Sequence, residues 1–135
     1  MKHALILLAA GTALLLSISL AFGFDQAYAL AYGAVAAMAL SIAATFFWLW
    51  YARATPLALG MGFSWAGATG VMGWWWVHRL LDSPAWMEQN VLLFVFVATY
   101  FVGTLLHFQV IRRSIGWASL VLLLPVAAAL ALSIG

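Results

Sequence analysis

Eight charged side chains divide this chain of 135 residues, and the spacing between them decides what it can fold into. Lys2, Asp25, Arg53, Arg79, Asp82, Glu88, Arg112 and Arg113 leave five uncharged runs of 22 to 27 residues. At a rise of about 1.5 Å per residue, a helix of about 20 apolar residues crosses the roughly 30 Å hydrocarbon core of a bilayer. Apolar residues make up 68% of the chain and charged ones 6%, too lopsided for a soluble core of this size to hide. Lipid is the alternative solvent. Because backbone polar groups cannot go unpaired there, each run must be helical.

The expectation is a single all-α integral-membrane domain over residues 1–135, a bundle of five transmembrane helices near 4–24, 27–51, 57–81, 88–112 and 116–134. An inside amino terminus places Lys2, Arg53, Arg112 and Arg113 on the cytoplasmic face, and Arg79 with all three acids outside. This fits the bias of basic residues toward the cytoplasm, and it puts the carboxy terminus outside. A bacterial inner membrane is the expected location. The opening stretch, residues 1–29, ends in Ala27-Tyr28-Ala29, which has the form of a signal-peptidase site after an apolar run. At about 20 residues, though, it exceeds the 7–15 of a signal-peptide core and reads as a true helix. A net charge of +2, thinly spread, points away from nucleic acid. With no cysteine in the chain, disulfide and thiolate chemistry are excluded.

The segment "GWWWVHRLLD" over 73–82 invites a cofactor reading. Successive helical residues point about 100° apart, so Trp74, Trp75 and Trp76 look in three directions and cannot line one pocket. Their position near a helix end suits interfacial anchoring, as do Trp48, Trp50, Tyr51, Trp86 and Trp117. Arg79 is placed to lie over Trp75 and pair with Asp82. His78, Asp82 and Glu88 share that end with Asp25 and form a weak candidate for a divalent metal, since their spacing is not specific.

No charged residue falls in the middle of a run, which argues against proton-coupled carriers and against an acid–base enzyme. Polar residues do fall there. Tyr100, Thr104 and His107 recur at i, i+4 and i+7 with Gly103 beside them. Thr45, Ser64, Trp65 and Ser119 lie at similar depth on other runs, toward the inner face. Thr45, Ser64, Trp65, Tyr100, Thr104 and His107 are therefore the candidate ligand-binding residues, with interhelical hydrogen bonding as their plainer role. Gly62, Ala66 and Gly70 form a small-residue row for helix packing, and Gly60, Ser64 and Gly67 form another on the opposite side. Pro125 is expected to bend the fifth helix at its middle.

Three functions follow from this pattern. The first is a non-catalytic subunit packing laterally, on itself or in a larger inner-membrane assembly. The second is a small permease or binding protein for an uncharged or amphipathic molecule near His107. The third is a haem- or pigment-carrying redox protein with His107 as the single ligand. The expected partners are the bilayer and other membrane subunits, and no specific cofactor is indicated.

Overall fold

A computed structural model describes residues 1–116, 120 and 123–135. Among these the chain is all helical: α1 (Lys2–Phe22), α2 (Phe24–Arg53), α3 (Pro56–Leu80), the single turn α4 (Ala85–Glu88), α5 (Leu92–Ile115) and α6 (Leu124–Ile134). Three stretches, Lys2–Phe22, Phe24–Arg53 and Ala85–Ser114, are long and apolar enough to cross a membrane. At 25 residues α3 has the length, but its glycines and tryptophans leave it short of the same apolarity. Trp117 and Ser119 lie outside the described residues, as does part of the expected fifth helix.

The helix boundaries have local causes. Expected at Asp25-Gln26, the first break falls instead on Gly23, whose φ of 96° is open to glycine and strained for other residues. Asp25 thereby joins the first turn of α2, where a carboxylate faces the positive end of the helix dipole. Ala54 closes α2 in the left-handed region at φ 49°. Pro56 opens α3 at a position where its missing N–H costs nothing. Pro125 does the same in the first turn of α6, the described part of the expected fifth helix. Between α4 and α5, the Asn90 side-chain oxygen accepts a hydrogen bond from the Leu92 N–H at 3.0 Å, and this sets where α5 begins.

The bundle is organised around α3, which packs against α2 on one side and α5 on the other, both antiparallel to it. The contacts rest on small residues. On α2 the buried positions are Ala27, Gly33, Ala36, Ala39 and Ala43; on α3 they are Ala58, Gly60, Gly62 and Gly67. In lipid there is no hydrophobic drive between helices, so close van der Waals contact between backbones holds them together. The α3–α5 seam is the tighter one. Gly67 lies directly on the Tyr100 backbone, Gly103 on Ser64 and the Gly60 carbonyl, and Gly60 beside the backbone nitrogen of His107. Along the α2–α3 seam Phe47 covers Gly62 and meets Phe63 edge-on, with ring centroids 5.4 Å apart. By contrast α1 touches only α2 closely, and neither α1 nor α6 has a buried residue.

The seam makes a paired prediction. A methyl group added at Gly67 would fall 2.7 Å from the Tyr100 Cα, whereas at Gly73 it would meet nothing within 4 Å. Gly67→Ala should therefore cost about 1–3 kcal/mol through overpacking. Gly73→Ala should be neutral or gain up to about 1 kcal/mol of helix propensity. Denaturant titration of the two variants in the same detergent measures the difference.

Candidate functional site

The contacts of Gly60 with His107, Ser64 with Gly103 and Gly67 with Tyr100 set the antiparallel register of α3 and α5. That register brings Ser64 and Trp65 alongside Tyr100, Thr104 and His107. These five and Ala68 line a groove of about 460 Å³ between α3 and α5, within the usual size range for small-molecule sites. The backbones of α3 and α5 approach closely at Gly67 and Gly103, because no side chain at either position holds the helices apart. No Asp, Glu, Lys or Arg is among its lining residues.

Most of the groove's hydrogen-bonding capacity is unspent. Seven hydroxyl groups elsewhere in the bundle turn back on their own helix, although the buried Thr69 hydroxyl has no partner among the described residues. Thr12, Ser17, Ser41, Thr45, Thr99, Ser114 and Ser133 each donate to the carbonyl four residues earlier. In the groove only Thr104 does so, donating to the Tyr100 carbonyl at 3.1 Å. The Ser64 hydroxyl, the Trp65 indole N–H and the Tyr100 hydroxyl make no hydrogen bond to any described residue, and His107 Nε2 is buried without a partner. An unpaired polar group in an apolar medium costs roughly 2–7 kcal/mol. Of the four, His107 Nε2 is the buried one and nothing among the described residues meets its demand, while the other three side chains line the same groove.

Thr45, the sixth candidate, is not part of this groove. It sits exposed on α2 with its hydroxyl bonded to the Ser41 carbonyl at 2.8 Å. The row Gly62, Ala66, Gly70 does not form one free face. Gly62 is filled by the Phe47 ring of α2 and Gly70 by the Phe96 ring of α5. Gly60, Ser64 and Gly67 do share a neighbour, and it is α5.

At the other end of α3 the tryptophans do point three ways, as their spacing requires, and two of them look inward. Trp76 lies over Gly33 of α2. Trp74 donates its indole N–H to the Met87 carbonyl at 3.0 Å, with Trp86 and Phe96 against it at ring distances of 6.1 and 6.2 Å. This latches the α4 turn over the end of the bundle and buries Met87 to 2% exposure. Only Trp75 faces outward, edge-on to His78 at 5.1 Å. Nothing local in the sequence marks Trp74 as a latch. Its partner is a backbone carbonyl thirteen residues away, on a turn whose position depends on the fold.

Charge pairing at this end also differs from the expectation. Arg79 reaches back to Asp25 of α2 at 3.3 Å and lies over the Tyr28 ring at 4.9 Å, in place of Asp82 and Trp75. Asp82 and Ser83 turn the chain with φ of 57° and 59°, which carries the Asp82 backbone out of helical register with Arg79. His78 Nε2 stands 3.7 Å from Glu88 Oε1. Among the described residues no three acidic or histidine side chains come close enough to hold a metal ion, so His78, Asp82 and Glu88 do not assemble as a cluster. His107 lies beside Gly60, 18 residues before His78 on the α3 axis. At about 1.5 Å per residue the two imidazoles are roughly 27 Å apart, so one haem cannot bridge them.

No family model, curated protein or solved structure matches this chain. What the groove and the latch can do therefore follows from their own chemistry.

The latch carries a prediction of its own. Trp74→Phe keeps the ring contacts and removes the N–H, so it should cost about 1 kcal/mol and loosen α4. Amide hydrogen exchange over 85–91 should quicken in Trp74→Phe and remain as in wild type in Trp75→Phe.

Proposed function

We propose that this is a small integral-membrane binding protein or permease that takes up an uncharged, amphipathic molecule sideways from the bilayer. In this reading the chain crosses the membrane five times, with its amino terminus in the cytoplasm of a bacterial cell. The groove then opens into the inner leaflet. One observation carries the reading: Ser64, Trp65, Tyr100 and His107 line a single groove between α3 and α5, and none of their side chains hydrogen-bonds to a described residue. Interhelical glue, the plainer role for such residues, needs partners across the seam, and these four have none among the described residues. The lack of a charged lining residue favours an uncharged guest, since a buried charge with no counter-ion is costly.

A second reading, lateral packing as a subunit of a homo-oligomer or a larger assembly, has separate support. Neither α1 nor α6 buries a residue, and α1 leaves a cleft of about 250 Å³ against α2 near Gly23. Such packing would use those outer helices, because Gly62 and Gly70 of the small-residue row are already occupied within the chain.

Native mass spectrometry of protein extracted gently from its own membrane separates the two. The binding reading expects a single chain with a reproducible small-molecule mass that disappears in His107→Phe. A clean multiple of the chain, or the chain with other polypeptides and no small molecule, would support the subunit reading instead.

A further inference from the structure

The chemistry of the groove narrows the class of its guest, and this step rests on the binding reading above. Trp65 can only donate a hydrogen bond, and its N–H is unused. The Tyr100 and Ser64 hydroxyls each have a hydrogen to give, and a neutral His107, which lines the groove, donates through one of its ring nitrogens. Thr104 has already given its hydrogen to the Tyr100 carbonyl. The groove is thus rich in donors, and its complement is a molecule rich in acceptors. With no cation on the lining, a fatty-acid carboxylate or a phosphate headgroup has no counter-charge there. Carbonyl oxygens fit, because they accept without carrying charge.

Two further features limit the shape. Trp65 and Tyr100 border the groove with aromatic surface, which favours a flat, conjugated ring. The groove lies between two helices whose backbones meet closely at Gly67 and Gly103. A ring therefore enters from the side, and any tail attached to it stays among lipid chains. We infer that the groove binds the head of a lipid-soluble quinone, with ring carbonyls accepting from His107 and from the Trp65, Tyr100 and Ser64 donors. The proposal concerns binding alone.

The test uses the full chain in phosphatidylcholine nanodiscs and two radiolabelled probes, decyl-benzoquinone and decylbenzene. They share ring and tail and differ in the two carbonyls. Binding is the amount retained above that of protein-free nanodiscs. Saturable retention of the quinone and none of decylbenzene is expected. Tyr100→Phe and His107→Phe should each weaken quinone binding about tenfold, the usual scale for one lost hydrogen bond to a desolvated group. Tyr100→Phe and Ser64→Ala each remove a single oxygen at partly exposed positions, so they read the hydrogen bonds even if His107→Phe disturbs the seam.

Equal retention of both probes would overturn the carbonyl assignment, as would wild-type binding in Tyr100→Phe, Ser64→Ala and His107→Phe together. The assignment also fails if the quinone is not retained while native protein still carries a His107-dependent mass of another class. In these cases the groove would remain a binding site with a different guest. If no small molecule accompanies the native chain and neither probe is retained, the binding reading fails as well.

Discussion

Everything in this bundle depends on how closely α3 can approach α5. Lipid offers helices no hydrophobic reason to associate, so association has to come from contact, and contact at backbone range requires glycine. Gly60 and Gly67 on α3 and Gly103 on α5 supply it at three successive levels of an antiparallel crossing. Once that seam is set, the larger residues flanking it are fixed as well. Ser64 and Trp65 on one helix, and Tyr100, Thr104 and His107 on the other, must lie alongside one another. The groove is a geometric consequence of the seam.

The two ends of α3 serve different purposes. At one end Trp74 fastens a single helical turn by its indole N–H, Trp76 fills the space over Gly33, and Arg79 links α3 to Asp25 of α2. His78 Nε2 there is buried without a hydrogen-bond partner among the described residues, 3.7 Å from Glu88, and the exposed Arg79–Asp25 pair adds at most about 1 kcal/mol. In the groove, the side chains of Ser64, Trp65, Tyr100 and His107 have no hydrogen-bond partner among the described residues, and the proposed guest would supply one. The outer helices α1 and α6, with no buried residue, do not contribute to this arrangement.

Much of the architecture is legible from charge spacing alone, because eight charges in 135 residues mark helix ends almost unaided. The central place of α3 is legible from its glycines. Of the candidate ligand residues, Ser64, Trp65, Tyr100, Thr104 and His107 come together, since a count of residues from the helix ends estimates depth well. Thr45 shares their depth but faces elsewhere, and depth carries no information about direction. In sequence the Gly62, Ala66, Gly70 row reads as one face, yet its ends serve two neighbours. Four-residue steps drift by about 40° at 3.6 residues per turn, and over eight residues the drift carries Gly70 from α2 toward α5. Long-range pairs such as Arg79–Asp25 and Trp74–Met87 depend on helix order, which no local pattern encodes.

The central claim is that the groove's donors are satisfied by something the membrane supplies. Nitrogen NMR of the Trp65 indole reports on that directly, with the resonance assigned by its loss in Trp65→Phe. The chain would be reconstituted once in lipid extracted from its own membrane and once in synthetic phosphatidylcholine. The account predicts a downfield, hydrogen-bonded Trp65 N–H in the native lipid and an upfield, unbonded one in the synthetic bilayer, with the Trp74 resonance unchanged between them. An identical, unbonded Trp65 signal in both would contradict it.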